Sequence, residues 1–233
     1  QSDLRETLCI YAPVSHIVVT PPVPSFPLNP NKADWSVWDF PDVVDHWNFP
    51  GYEGKKMTVS VYSNCEQVEL FLNGESLGKQ ENTADKKNTL VWEVPYAHGI
   101  LKAVSYNKGG EVGTATLESA GKVEKIRLSA DRTEIVADGN DLSYITLELV
   151  DSKGIRNQLA EELVEFSIAG DATIEGVGNA NPMSIESFVA NSRKTWRGSN
   201  LLVVRSGKSS GRIIVTAKVK ALPVASITIT QKK

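Results

Sequence analysis

Two cysteines, three histidines and two methionines in 233 residues leave little material for thiol or soft-metal chemistry. Cys9 and Cys65 stand far apart, too few for a disulfide framework or a four-ligand structural zinc site. They form either one long-range bridge or two unpaired thiols, so cysteine usage does not set the redox compartment. His16, His46 and His98 are scattered and give a histidine metal site no support. No apolar run approaches the roughly 18–20 residues of a bilayer-spanning helix. Basic residues never exceed a pair, and 25 of them face 28 acidic ones for a formal net charge of -3. That balance excludes a dedicated nucleic-acid or anionic-membrane surface.

Sustained helical periodicity is also missing. No window longer than about ten residues repeats convincingly every 3.6 positions. LAEELVEF (residues 159–166) comes nearest and reads equally well as a loop entering a strand. Two-residue alternation is there instead. KMTVSVYS, VELFL, TLVWEVPY and ILKAVSY alternate as half-buried strands do, with turn signals every 8–12 residues. Asn73-Gly74 supplies the pair that a type I′ turn favours, which sets Leu70 against Leu77 across the hairpin. After Ala120-Gly121 the pattern resumes: VEKIRLSA, SYITLELV, VEFSIAG, NLLVVRSG, GRIIVTAKVK and VASITITQ. Hydrophobic residues make up 41%, and the 17 glycines bring the apolar share near that of ordinary globular domains.

Eight of the eleven prolines lie within residues 13–50, a segment that is also dense in aromatic residues. Proline fixes φ and removes a ladder donor, so this region reads as extended chain rather than helix or central strand. The predicted fold is therefore all-β, with two immunoglobulin-like sandwiches in tandem. They follow an extended segment over 1–50 and span 51–120 and 121–233.

Four stretches carry a family likeness. HWNFPGYEGKKMTVSVYSNCEQVELFLNGESLGK, WEVPYAHGILKAVSYNKGG and IRLSADRTEIVADGNDLSYITLELVDSKG resemble the C-terminal β-domains of glycoside hydrolase family 2, in its bacterial β-galactosidase branch. GVGNANPMSIESFVANSRKTWRGSNLLVVRSGKSSGRIIVTA resembles the far C-terminal domain of the same enzymes. The likeness covers roughly residues 40–230, and residues 1–40 read as the tail of a preceding catalytic barrel. It implies a retaining β-glycosidase whose two catalytic glutamates sit on a (β/α)₈ barrel, a unit of about 250 residues that nothing in this pattern supplies. The family's Asn-Glu acid/base motif is absent from the sequence. No catalytic residue, cofactor or metal is therefore assigned. The implied partners are the enzyme's own catalytic barrel and β-linked glycans. The implied location is periplasmic or extracellular in a bacterium. The opening QSDLRETLCIYAP has no signal-peptide pattern and reads as the interior of a longer chain.

Two segments hold the candidate contact residues. Trp35, Trp38, Phe40, Trp47, Phe49 and Tyr52 gather six aromatic rings between residues 35 and 52. One reading is a sugar platform, with Trp35, Trp38 and Trp47 stacking while Asp45, His46 and Asn48 bond hydroxyls. The other is a seam packed against the barrel. Asp39, Asp42 and Asp45 lie close in sequence, but a proline-broken loop holds no pair as rigidly as glycoside cleavage needs. The 176–198 connection is long for a sandwich. There Arg193, Lys194, Trp196 and Arg197 offer a clamp for an anionic or carbohydrate partner. Alternatively the loop wraps the sandwich, with Phe188 and Trp196 buried and the charges outward. Asp138, Asn140, Asp141 and Asp151 suggest calcium at first sight, yet they miss the EF-hand spacing and suit Asx turns. Two other functions stay open: a stand-alone carbohydrate-binding module and an adhesin-like structural spacer.

Overall fold

The computed structural model describes residues 12–24 and 42–233. The chain divides into two compact units, with the boundary between Ser119 and Ala120. Strands dominate the described residues, and the helical content there is a single 3₁₀ turn, Ala84–Lys86.

The first unit holds seven strands among its described residues: β1 (Ser15–Val19), β2 (Lys56–Ser63), β3 (Gln67–Leu72), β4 (Glu75–Glu81), β5 (Thr89–Pro95), β6 (Ile100–Asn107) and β7 (Gly110–Glu118). They form two antiparallel sheets, ordered β1-β2-β5 and β4-β3-β6-β7. The alternation read from the sequence is the alternation of burial. Met57, Val59 and Val61 of β2 point inward with Leu90, Trp92 and Val94 of β5, and meet Val68, Leu70, Leu101 and Ala103 of the other sheet. Each fully buried side chain of this size contributes roughly 1.5–3 kcal/mol.

The Asn73-Gly74 turn forms with φ of 52° and 87°, as the pair demands. Its hairpin carries a β-bulge one step further on, between the pairs Glu69↔Lys79 and Phe71↔Ser76. Leu70 therefore faces Leu77 and Gly78 together, and Gly78 takes φ of 100°. Leu70 is fully buried, and Leu77 packs against the same core from a half-buried position.

The chain before residue 50 is not wholly outside this sandwich. Ser15–Val19 joins β2 as an edge strand; the Thr20 N–H still donates to the Thr58 carbonyl at 3.0 Å, and Pro21-Pro22 then withdraw the ladder donors. Val44 then returns to the same edge, exchanging two backbone hydrogen bonds with Val19 at 2.8 and 2.9 Å. Cys65 is a buried free thiol. Cys9 lies outside the described residues.

The second unit has β8 (Lys125–Ala130), β9 (Glu134–Val136), β10 (Leu142–Val150), β11 (Leu163–Ala169), β12 (Ala172–Gly178), β13 (Ser192–Lys194), β14 (Ser199–Ser206), β15 (Gly211–Val219) and β16 (Ala225–Lys232). Its sheets are ordered β12-β14-β10-β8 and β13-β11-β15-β16-β9. The chain changes sheets between β8 and β9, and β9 pairs in parallel with β16. Ile145, Leu147, Leu149, Leu202 and Val204 meet Val164, Phe166, Ile213, Val215 and Ile229 in one core. The segment with the nearest approach to a helical pattern enters β11 as a loop followed by a strand.

Candidate functional site: an aromatic knot and an exposed apolar loop

The 42–52 segment is knitted into the first unit by backbone and ring contacts. Trp47 is fully buried. Its indole Nε1–H donates to the Ala97 carbonyl at 2.8 Å, and its own carbonyl accepts from the Ser119 hydroxyl. Phe49 and Tyr96 meet the Trp47 ring edge to face, with centroids 6.0 and 5.0 Å away. The Tyr96 hydroxyl accepts the Phe49 N–H at 3.1 Å. Such edge-to-face clusters suit a core.

This placement corrects the stacking role for Trp47. Both the ring and its polar handle are used inside the sandwich, so no face is left for a pyranose. Asn48 is buried as well, and its backbone N–H reaches His46 Nδ1 at 3.2 Å. Asp45 is exposed and His46 half-buried, with the imidazole 4.9 Å from the Phe49 ring. Trp35, Trp38, Asp39 and Phe40 lie outside the described residues.

The second segment is the connection from β12 to β13. Its backbone is a chain of side-chain-closed turns. Asn179, Asn181, Ser184 and Ser187 each accept the N–H two residues on, at 3.1, 2.9, 3.3 and 3.3 Å. Both ends are pinned to strands. Val177 of β12 donates to the Phe188 carbonyl at 2.8 Å, and Phe166 of β11 donates to the Asn191 carbonyl at 2.8 Å.

Arg193 holds the loop from beneath. It occupies the inward position of β13, opposite Val164, and is fully buried. Its guanidinium donates to the carbonyls of Val177 at 3.2 Å and Glu186 at 3.1 Å, and to Ser184 Oγ at 3.2 Å. One fork thus ties β13 of one sheet to β12 of the other and to the loop between them. The Glu186 carboxylate is also used locally, accepting from Ser184 Oγ at 3.0 Å and from the Lys194 N–H at 3.1 Å.

The wrapping reading of this loop is therefore inverted. Arg193 goes in, while Phe188 is 61% exposed and Trp196 only half-buried. The physical reason is acceptor supply. The β12 carbonyl of Val177 converges with the loop's Glu186 carbonyl and Ser184 hydroxyl where the arginine can satisfy them. Nor do Arg193 and Arg197 form a clamp. Arg197 and Gly198 sit at φ of 49° and 69° in a tight turn between Trp196 and Ser199, and the Arg197 guanidinium lies 4.7 Å from the Trp196 ring centre. What sequence reading missed is the outward set: Met183, Ile185, Phe188 and Val189. Its only signal was a run of asparagines and serines with a single charge between 179 and 191.

The acidic side chains of the second unit with shifted pKa values are turn-builders. Asn140 and Asp141 donate backbone N–H groups to Asp138 and hold its carboxyl below the usual range. The Val136 N–H and Arg132 do the same for Asp141. At Asp151 burial works to raise the pKa, but N–H groups of Gly121, Ile155 and Lys153 outweigh it and leave it lowered. Ser209 and Lys208 lower Asp171. A general acid working near neutral pH needs the opposite shift. No group of three or more His, Cys, Asp or Glu side chains suited to a metal ion lies among the described residues. A cleft of about 700 Å³ in this unit is lined by Leu159, Val219 and Leu222 together with Lys122, Lys220 and Glu162. No helix among the described residues is long and apolar enough to cross a membrane.

Known proteins resemble this chain in sequence and in fold. Residues 126–228 match the model of glycoside hydrolase family 2 C-terminal domain 5, and residues 54–113 match a domain of unknown function, DUF4982. Beta-galactosidase BoGH2A of Bacteroides ovatus is 32% identical over 203 residues, covering 87% of this chain and 24% of that protein. A beta-glucuronidase of Formosa agariphila is 30% identical over 205 residues, covering 85% and 20%. The crystal structure of a glycosyl hydrolase family 2 member from Bacteroides cellulosilyticus superposes with a TM-score of 0.96. It is 97% identical, over 100% of this chain and 30% of that one. The chain thus spans between a fifth and a quarter of the length of these curated relatives. In sequence and in fold, the chain belongs to glycoside hydrolase family 2, as C-terminal β-domains.

Proposed function

We propose that this chain is the non-catalytic C-terminal part of a β-galactosidase-type glycoside hydrolase, buttressing a catalytic barrel and helping to shape its substrate cleft. The observation that carries the reading is coverage: the whole chain superposes on a family 2 member while accounting for only 30% of it. Two sandwiches with tied-down turns suit that work, because a stiff support beside a cleft contributes through position. Under this reading β-linked glycans are substrates of the complete enzyme, and the chemistry belongs to carboxyl groups outside these 233 residues. An extracytoplasmic location goes with it and is checked by fractionating cells that express the full-length gene. Recovery in the cytoplasm alone would count against that part.

The test compares three polypeptides: this chain, the full-length enzyme and the enzyme truncated before these domains. Nitrophenyl β-galactoside and β-glucuronide are the substrates. The expected result is background hydrolysis by the chain, turnover by the full-length enzyme, and reduced activity or heat resistance in the truncated form. Hydrolysis by the chain alone would overturn the reading, as would a truncated enzyme that matches the full-length one in both respects.

A further inference from the structure

The 179–191 loop keeps apolar side chains in water by construction. Ile185 is 100% exposed, Val189 79%, Met183 66% and Phe188 61%. Exposed apolar residues scattered singly are ordinary, but a contiguous set on a fastened backbone marks an interaction site. Here the fastening is explicit, through the side-chain-closed turns, the anchors at Val177 and Phe166, and the buried Arg193 fork. The loop's one charge is also engaged locally, since the half-buried Glu186 carboxylate accepts from Ser184 and from the Lys194 N–H. A partner for this face must therefore be apolar.

We infer that Met183, Ile185, Phe188 and Val189 form a docking face for an apolar surface elsewhere in the same polypeptide. This rests on the reading that the chain is one part of a longer family 2 enzyme. The length of the relatives supports it, because about three quarters of the β-galactosidase relative lies outside the matched region. Chemistry separates this occupant from others. A glycan needs hydroxyl partners as well as an apolar face, and the one exposed polar side chain between Met183 and Val189, Ser187, already accepts the Val189 N–H. A stable dimer of this chain needs about 800 Å² from each copy, more than four side chains on one loop supply. A contact that covalent connection assists can be smaller and still persist.

The test places a reporter on the face. Ile185→Cys, in a Cys9→Ser background that leaves the buried Cys65 as the other thiol of these 233 residues, is labelled with a maleimide in this chain and in the full-length enzyme, and labelling is followed by mass spectrometry on the peptide that contains residue 185. The expected result is labelling at least about tenfold slower in the full-length enzyme, because reaction then requires the contact to open. The slowing must be independent of protein concentration and of added β-galactosides. Equal rates overturn the docking face. Protection that grows with concentration assigns the face to a second copy, and protection that appears only with sugar assigns it to a glycan; each also overturns the inference. In all three cases the buttress reading stands if truncation still impairs the enzyme. A double variant, Ile185→Glu with Val189→Glu, gives a second readout. It should leave the melting of this chain unchanged while making the C-terminal domains of the full-length enzyme cleavable by protease. Unchanged protease resistance would contradict the docking face.

Discussion

The guanidinium carbon of Arg193 lies 4.2 Å from the ring centre of Phe188, with the cation fully buried and the ring 61% exposed. The usual arrangement of such a pair puts the charge in water and the ring in the core. Here the interior charge fastens a surface ring. The connection runs from the β11–β13 pairing through the guanidinium to the carbonyls of Val177 and Glu186 and to the outward aromatic.

Arg193→Ala should destabilise the second unit by about 2–4 kcal/mol, because buried carbonyls lose their donor and a cavity opens. Arg193→Lys should recover less than half of that, since an ammonium cannot reproduce the planar fork. Urea unfolding of the chain measures both. A loss below about 0.5 kcal/mol for the alanine variant would mean that the fork does not hold the loop.

Ile185→Ser should change stability by no more than about 0.5 kcal/mol in the isolated chain, as fully exposed positions do. Ile213→Ala, at a fully buried position of β15, should cost about 2–5 kcal/mol. Parallel thermal melts test the contrast. A large loss at Ile185 would show that its side chain is covered in this chain.

Trp47→Ala should cost the first unit about 3–5 kcal/mol by removing a fully buried ring. Trp47→Phe should cost about 1–3 kcal/mol, through the missing donor to the Ala97 carbonyl and the smaller ring. Neither substitution should alter glycan titrations of folded protein. A selective loss of sugar binding without a loss of stability would restore the stacking role.

Acid should weaken the second unit through its turn carboxylates. Asp151 has a lowered pKa in the folded state, so its stabilising contribution is complete above the unfolded value of about 3.9 and disappears as pH falls through the lower folded value. Asp138, Asp141 and Asp171 act in the same direction. Asp151→Asn should lower stability at pH 7 by about 1–3 kcal/mol, because an amide cannot accept from Gly121, Lys153 and Ile155 on both of its ends. It should also flatten the loss of stability between about pH 5 and 2. A variant with the wild-type acid slope would show that Asp151 is not the group responsible.

Much of the fold was legible because the signals are local. Alternation in KMTVSVYS sets which side chains share a face, and Asn73-Gly74 accepts the positive φ that closes its hairpin. Asp138, followed by Gly139 and Asn140, accepts the N–H groups of its own turn. The Leu70–Leu77 relation was read without its bulge, because a two-residue turn fixes the first pairs of the hairpin and carries no signal for an extra residue further along at Gly78. The Ser15–Val19 strand was hidden among prolines, since its pairing depends on β2 some forty residues later.

Composition and periodicity thus determined an all-β chain with its turns and core faces, because those properties depend on neighbours a few residues apart. Only the tertiary structure decided that Arg193 is inside, that Phe188 is outside and that Trp47 belongs to a core. A charged side chain can be buried only where distant carbonyls converge on it. Whether a ring meets water or other rings is likewise set by strands far away along the chain.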